Sequence, residues 1–292
     1  MRILVTGASG QLGSYLLREC QRQSIAVIGW SCRRSGELFG CTLRPVDLLN
    51  TEALTTAFRD AQPDVVIHTA ALTVVSDCQR QPQRARLINT EGSATLARLA
   101  NEAGVPMIHV STDMVFDGEQ APYREEDEVA PLSIYGRTKA EAEQAVLAFP
   151  RHTVVRVPLL FGPTLIGRPT FFEQQVSALR QGQRVSFFCD EWRTPLSFLT
   201  TARGLLELME SPPPGRLHMG GPQRMSRLEM GTKLAHHLGC DPASIVSLSR
   251  TQAPAAEPRP RDLSLDSTRW RHLYPGSEWP VWDEALSQLM FS

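Results

Sequence analysis

Tyr135 and Lys139 are four positions apart in the segment Ser133–Lys139, which follows the run Val110–Asp113. Four residues make about one helical turn, so the phenol and the ammonium would share one face of a helix. The lysine charge would lower a phenol pKa that is ordinarily about 10. Such a tyrosine can exchange a proton with an alcohol oxygen near neutral pH. Exposed helices also carry this pair by chance, so the interpretation depends on the rest of the chain.

A glycine-rich segment lies close to the first residue of the sequence. The run Arg2–Thr6 is typical of a β-strand, and Gly7, Gly10 and Gly13 follow it before a helical pattern begins. In that context glycines let the backbone approach a pyrophosphate, while the free amides of the helix face the phosphates. An ordinary turn is the alternative. The predicted cofactor residues here are Thr6, Gly7, Gly10, Gln11, Leu12 and Gly13.

The end of the second apolar run indicates which dinucleotide would bind. NAD sites usually place an acidic residue there for the ribose hydroxyls, whereas NADP sites place arginine for the 2′-phosphate. This chain has Ser31, then Arg33 and Arg34. Guanidinium groups match a phosphate in charge and geometry, so the sequence favours NADP. A solvated basic turn is the alternative, and Glu37 lies close by.

Strand-like runs alternate with helical patterns through the first half of the chain, for example at Ala26–Trp30, Thr51–Phe58, Val65–His68 and 85–103. This alternation predicts an α/β fold with a Rossmann-type, doubly wound parallel sheet. We expect residues 1–160 to form the NADP-binding domain, with a segment of about 195–222 returning to it. Residues 161–292 would mainly form a smaller mixed α/β substrate domain.

Composition narrows the function classes. The 292 residues carry a formal net charge of −1, with 30 basic and 31 acidic side chains, which gives no reason to expect nucleic acid or a membrane surface as partner. A small-molecule substrate is expected, and a homodimer or a regulatory protein partner is left open. The six cysteines have no metal-site spacing, so no metal is predicted and reduced thiols in a cytoplasmic protein are expected. No signal peptide or membrane anchor is expected.

These motifs together resemble the extended short-chain dehydrogenase/reductases. The resemblance is closest to the dTDP-4-dehydrorhamnose reductases and to the regulatory β subunit of methionine adenosyltransferase, and it covers nearly the whole chain. Its specific pieces are Thr6–Gly13, Asp64–Ala71, Asn89, Ser111–Gly118, Pro122–Asp127, the tyrosine–lysine pair and Arg259–Arg261.

The resemblance implies roles for individual residues. Tyr135 would protonate a substrate ketone that receives hydride from NADPH, Thr112 would hydrogen-bond the same oxygen, and Lys139 would hold the nicotinamide ribose. The further cofactor residues that it implies are Asp47, Leu48, Ala70, Ala71 and Asn89. The substrate residues that it implies are Thr73, Asp113, Leu159, Trp192, Arg259 and Arg261. Two alternatives stay open, since Asp113 could merely cap the next turn and Asp47 could cap the helix that begins at Thr51.

Departures from the reductase pattern leave two functions open. Leu159 is at the position where those enzymes usually have a tryptophan that lines the sugar pocket, and Trp192 with Arg193 would reshape the same pocket. The leading hypothesis is an NADP-dependent oxidoreductase that acts on a 4-keto-6-deoxy sugar nucleotide, with dTDP-4-dehydrorhamnose, a precursor in dTDP-rhamnose biosynthesis, as the best single substrate. The alternative is a cofactor-binding regulatory subunit with little catalysis.

Overall fold

The computed structural model describes residues 1–252 and 258–290. The strands are β1 (Arg2–Thr6), β2 (Ala26–Ser31), β3 (Gly36–Leu38), β4 (Cys41–Pro45), β5 (Val65–His68), β6 (Met107–Thr112), β7 (Thr153–Val157), β8 (Leu160–Phe161), β9 (Val185–Phe188), β10 (Trp192–Arg193), β11 (Leu196–Ser197), β12 (Gly215–His218), β13 (Met225–Ser226) and β14 (Ile245–Leu248). The α-helices are α1 (Gln11–Arg22), α2 (Thr51–Ala61), α3 (Val75–Arg80), α4 (Pro82–Arg86), α5 (Ser93–Glu102), α6 (Ile134–Leu147), α7 (Phe171–Arg180), α8 (Phe198–Leu208), α9 (Arg227–His237), α10 (Thr268–Leu273) and α11 (Trp282–Met290).

An eight-stranded sheet forms the centre of the molecule, in the order β12-β7-β6-β5-β1-β2-β4-β3. Its strands are parallel except β3, which pairs antiparallel with β4. From β1 the strand order runs outward in both directions, so the sheet changes direction between β1 and β5. Ligands of doubly wound sheets bind beyond the carboxyl ends of the strands at this point. The predicted fold class is confirmed.

Both faces of the sheet are covered, which explains why β1 is a continuous apolar run. Ile3 and Val5 pack into the same cluster as α1 and α8, whereas Leu4 faces the opposite cluster with α2 and α5. All three side chains are fully buried. The sheet is therefore held from both sides, and its carboxyl edge is a rigid base for a site.

The helix expected over residues 85–103 is interrupted. A π-helical turn at Leu87–Gly92 separates α4 from α5, so the segment is three pieces rather than one helix. Such turns insert a residue into the helix and change the direction of the side chains. Here the π turn contains Asn89, which is fully buried.

The second half of the chain supplies elements both to the main sheet with its covering helices and to a group of small sheets beside it. α8 packs on α1, and β12 extends the main sheet beside β7. The remaining elements form two-stranded sheets, β9 with β14 and β10 with β13, that pack with α7 and α9 beside the carboxyl edge. The domain boundaries stay a prediction, and residues 253–257, 291 and 292 of the expected substrate domain lie outside the described residues.

Within the described residues, no helix has the length and apolar character needed to cross a membrane.

Candidate functional site

The turn between β1 and α1 is built by glycine. Gly7 has φ +68°, and a Cβ there would lie 2.8 Å from the backbone nitrogen of Ala70. A Cβ on Gly13 would lie 2.2 Å from the Gly7 carbonyl oxygen. Gly10 caps α1 without any side-chain hydrogen bond, so no side chain of the cap covers the first turn of the helix. Backbone amides and the positive end of α1 are what a phosphate needs at such a place.

A cavity of about 780 Å³ runs from this turn along the carboxyl edge of the sheet. Its size lies within the usual range of ligand pockets. The predicted residues that line it are Thr6, Gly7, Gly10, Gln11, Leu12, Gly13, Ser31, Asp47, Leu48, Ala70, Ala71, Thr73, Thr112, Asp113, Tyr135, Lys139 and Leu159. The structure thus brings the glycine turn and the Tyr135–Lys139 pair to one cavity.

Tyr135 and Lys139 lie in the first turns of α6. The Ser133 side chain caps this helix by accepting a hydrogen bond from the Gly136 amide. A Cβ on Gly136 would lie 2.2 Å from the Met114 carbonyl oxygen, so this glycine lets α6 pack directly against the turn that follows Thr112. Gly136 is a residue that the sequence analysis missed, although its position directly after Tyr135 was a visible signal.

The prediction that Lys139 lowers the pKa of Tyr135 is wrong for the protein without ligand. Burial raises the pKa of Tyr135 above its ordinary value, against a weaker opposing effect of the hydrogen bond with Thr112. Burial also lowers the pKa of Lys139 to about 7, with Glu143 opposing the shift. The Lys139 ammonium hydrogen-bonds His109 Nε2 at 2.9 Å and the Val110 carbonyl at 2.8 Å. Desolvation therefore has the largest effect on the pKa of each group.

Thr112 ends β6 and caps the short 3₁₀ turn Asp113–Val115, because its hydroxyl accepts a hydrogen bond from the Met114 amide at 3.2 Å. The side chain that caps this turn is that of Thr112, and the role of Asp113 toward a substrate stays a prediction. The Asp113 carboxylate is buried, accepts from the Thr112 hydroxyl at 3.1 Å and lies 3.8 Å from the Arg193 guanidinium. Burial raises its pKa to about 6, with Arg193 opposing the shift.

Asp47 is likewise not a helix cap. Asn50 caps α2 by accepting from the Ala53 amide, whereas the Asp47 carboxylate accepts from the Leu49 amide and lines the cavity. The alternative that Asp47 caps α2 is wrong. Its role against a cofactor stays a prediction.

Asn89 does not line the cavity. Its side-chain oxygen accepts from the Leu72 amide, and its nitrogen donates to the Leu72 carbonyl and to the Thr138 hydroxyl. The π turn directs this side chain between the loop after β5 and α6. Asn89 therefore supports the site from behind, and the prediction of a direct cofactor contact is wrong for this geometry.

Five further predicted residues lie away from the cavity wall. Arg33 and Arg34 are exposed in the turn after β2, beyond Cys32, which does line the cavity. The Arg259 guanidinium lies 3.5 Å from the Glu191 carboxylate and stacks over Phe188, and Arg261 is exposed. Trp192 also lies off the wall, with the Arg224 guanidinium 4.0 Å from its ring centroid.

Comparison with known proteins identifies the family. The model of the RmlD substrate binding domain matches residues 1–291. This chain belongs to the RmlD substrate binding domain family. The chain is 34% identical to the probable low-salt glycan biosynthesis reductase of Haloferax volcanii, over 91% of each chain. It is 32% identical to the methionine adenosyltransferase 2 subunit beta of Pongo abelii, over 96% of this chain and 84% of that protein. It is also 32% identical to a dTDP-4-dehydrorhamnose reductase of Mycobacterium tuberculosis, over 92% and 86%.

Solved structures agree with this assignment to the RmlD family. A dTDP-4-dehydrorhamnose reductase of Clostridium acetobutylicum superposes with a TM-score of 0.88 at 29% identity, covering 100% of this chain and 99% of that one. A dTDP-4-dehydrorhamnose reductase of Bacillus anthracis, solved in complex with NADP, has the same TM-score at 22% identity, covering 99% and 98%. Both resemblances stated from the sequence are confirmed.

Several residues of this RmlD-family cavity were not predicted. Arg84 on α4, Phe171 at the start of α7 and Phe198 at the start of α8 line it. Of the two neighbours that the sequence places at the pocket, Arg193 lines the cavity and Trp192 does not, because successive residues of β10 point to opposite faces. Only tertiary packing brings α7 and α8 to the site, so no local motif marks Phe171 or Phe198. His68 and His109, which lie on the neighbouring strands β5 and β6, are both buried and hydrogen-bonded.

Proposed function

We propose that this protein is an NADP-dependent reductase of a 4-keto-6-deoxy sugar nucleotide, with dTDP-4-dehydrorhamnose as the best single substrate. The observation that carries the proposal is the convergence of Thr112, Tyr135 and Lys139 on the cavity that also contains the glycine turn. A proton donor beside a dinucleotide cradle is the equipment for ketone reduction. The similarity to dTDP-4-dehydrorhamnose reductases supports the substrate class.

The residues present fit a bound NADP. At Gly7 and Gly13 the neighbouring backbone leaves no space for a side chain, and the uncovered amides at the start of α1 would bind the phosphates. Arg33 and Arg34 stand in the turn whose Ser31 and Cys32 line the cavity, where they would hold a 2′-phosphate. When bound, the nicotinamide supplies hydride to the substrate carbonyl carbon.

The chain's own groups would handle the proton and the charge. The Tyr135 hydroxyl would donate a proton to the carbonyl oxygen, and its raised pKa keeps that proton in place until charge develops on the oxygen. The Thr112 hydroxyl would donate a hydrogen bond to the same oxygen. The Lys139 ammonium would hydrogen-bond the nicotinamide ribose and stabilise the tyrosinate that is left. Asp113, beside Thr112 and Arg193, would accept from a substrate hydroxyl.

The test is NADPH consumption with enzymatically generated dTDP-4-dehydrorhamnose, run beside Tyr135→Phe and a control without substrate. We expect wild-type turnover and a loss of roughly 10²- to 10⁴-fold in kcat for the variant, with NADPH affinity retained. A variant that keeps its turnover would remove Tyr135 from the mechanism. Tight NADPH binding by the wild type without turnover would contradict the reductase proposal.

A second function is favoured by one specific observation. The chain is as similar to the methionine adenosyltransferase subunit as to the mycobacterial reductase, at 32% identity to each. In this second proposal the protein binds the cofactor and regulates a partner enzyme, and Leu159 replaces the aromatic side chain that a sugar ring would need. Co-purification of a methionine adenosyltransferase, together with absent ketone reduction, would support it. Turnover at a rate typical of enzymes, about 1–10³ s⁻¹, would contradict it.

A further inference from the structure

Lys139 is held in an unusual way for a buried cation. Its side chain is 2% exposed, yet none of the ion pairs in the described part of the chain includes it. The nearest carboxylate on its own helix, Glu143, is occupied by Arg156, by Arg216 and by the Ser111 hydroxyl. The two acceptors in contact with the ammonium are the Val110 carbonyl and the imidazole of His109.

The contact with His109 specifies the state of that imidazole. While Lys139 is charged, its ammonium has three donors and no acceptor, so His109 Nε2 accepts and the ring proton is on Nδ1. Nδ1 is buried and has no hydrogen-bond partner among the described residues. An unpaired ring N–H in the protein interior costs free energy. The hydrogen bond that Nε2 accepts from Lys139 must offset this cost.

No neighbouring side chain can replace His109 as the hydrogen-bond acceptor for Lys139. His68 on β5 packs against it with ring centroids 5.2 Å apart, but its two nitrogens are already occupied by the hydroxyls of Thr6 and Ser93. The carboxylate that acts electrostatically on Lys139 is Glu143 on α6. The Arg156 guanidinium on β7 binds Glu143, the Glu125 carbonyl and His218, and it makes no contact with the pair. His109 is thus the one side chain among the described residues that hydrogen-bonds Lys139.

We propose that His109 is a positioning residue for Lys139, which orients the ammonium so that a single N–H is left to face the cavity. Two of the three donors are fixed by groups of β6, and Lys139 also lines the cavity. The remaining donor is then directed at the ligand instead of rotating freely. This inference rests on the proposed function, because the oriented donor would serve the nicotinamide ribose and the tyrosinate of Tyr135.

The experiment compares His109→Leu, which removes the acceptor, with His109→Gln, which keeps an acceptor oxygen. The control is His152→Gln, because His152 is another buried histidine but contacts the Met107 amide and the Ala97 carbonyl at the opposite edge of the sheet. For His109→Leu we expect the alkaline limb of kcat against pH to move down by about one pH unit, since a hydrogen bond to a charged group is lost. We expect its NADPH dissociation constant to rise roughly fivefold. His109→Gln should restore most of the wild-type pH limb and of the NADPH affinity. His152→Gln should change neither.

A folded His109→Leu protein with the wild-type pH limb and NADPH affinity would overturn the proposal, as would a His109→Gln variant that recovers nothing. ¹⁵N NMR of the wild-type histidine rings provides a test that does not depend on a variant folding. We expect His109 to be neutral with its proton on Nδ1 at pH 6, where Lys139 with its pKa of about 7 is charged, and a proton on Nε2 at that pH would contradict the inference. NADPH titration and NMR need no turnover, so a failure of the reductase proposal would be seen separately, in the wild-type assay.

Discussion

The two ends of the cavity are built in different ways. At one end the glycine wall, formed by Gly7, Gly10 and Gly13 with Ala70 and Ala71, presents backbone and almost no side chain. At the other end the arginine wall, formed by Asp113, Leu159, Phe171 and Arg193, consists of side chains from four separate segments. A phosphate group needs amides at fixed positions, whereas a variable substrate is recognised by the choice of side chains.

The energetics of the two walls differ as well. The glycine wall is set by close backbone contacts, so a substitution there has to move a helix or a strand. The arginine wall contains a buried carboxylate whose pKa is raised because the ion pair with Arg193 does not compensate for its burial. The glycine wall therefore does not tolerate larger side chains. In the arginine wall the buried carboxylate is electrostatically unfavourable, and a polar ligand that hydrogen-bonds it could relieve this cost. Each of the variants below tests one side of this comparison.

Gly13→Ala should have the largest effect, because it introduces an atom 2.2 Å from the Gly7 carbonyl oxygen. We expect NADPH affinity to fall roughly 100-fold, which corresponds to about 2.7 kcal/mol. The free energy of unfolding should fall by about 1–3 kcal/mol, as for other overpacked sites. Fluorescence titration and chemical denaturation measure the two quantities. Gly276→Ala is the matched control, since a Cβ there meets no atom within 4 Å, and an equal loss in both variants would contradict the steric account.

The double variant Arg33→Ala/Arg34→Ala should have an intermediate effect, confined to one cofactor. Charge-assisted hydrogen bonds contribute about 1.5–3 kcal/mol, so NADPH should bind roughly 10- to 100-fold more weakly. NADH lacks the 2′-phosphate, and its affinity should change by less than about threefold. Arg44→Ala serves as control, because Arg44 is on the adjacent strand and its guanidinium already pairs with Asp60 at 3.0 Å. Equal losses for both cofactors would show that the basic pair does not read the phosphate.

The whole glycine wall could be predicted from the sequence, whereas the arginine wall could be predicted only in part, at Asp113 and Leu159. Gly7, Gly10 and Gly13 are near neighbours in the chain, so a local motif specifies their geometry together with β1 and α1. The same holds for Tyr135 and Lys139, which are one helical turn apart. Phe171 and Arg193 reach the cavity only after α7 and β10 pack beside the main sheet, and no short-range pattern encodes that packing. The sequence places both Trp192 and Arg193 near the pocket, but it does not show which of the two side chains faces the cavity, because that depends on the orientation of β10.

Errors about Asn89 and about the pKa of Tyr135 have another origin. The π-helical segment rotates the direction of the Asn89 side chain by a fraction of a helical turn, and the residue types of Leu87–Gly92 do not predict this segment. For Tyr135, the spacing to Lys139 was correct, but desolvation depends on the depth of the site in the folded protein. Sequence spacing predicts which groups meet, whereas their pKa values follow from burial.

Asp113→Asn tests the arginine wall, and here we expect a gain of stability. The folded-state pKa of about 6 lies above the ordinary value of 3.8, so the folded protein binds the proton more tightly than the unfolded chain does. The contribution of Asp113 to stability is therefore fully present below pH 4 and is lost as the pH rises through 6. Asparagine removes the buried charge but keeps an oxygen that can accept from Thr112, so the variant should be more stable than the wild type by about 2 kcal/mol at pH 7. Denaturation at pH 4 and pH 7 measures this difference, which should shrink to near zero at the lower pH. A variant that is less stable at pH 7 would mean that the pair of Asp113 with Arg193 is a net stabilising contact, and the two walls would then not differ in the way proposed.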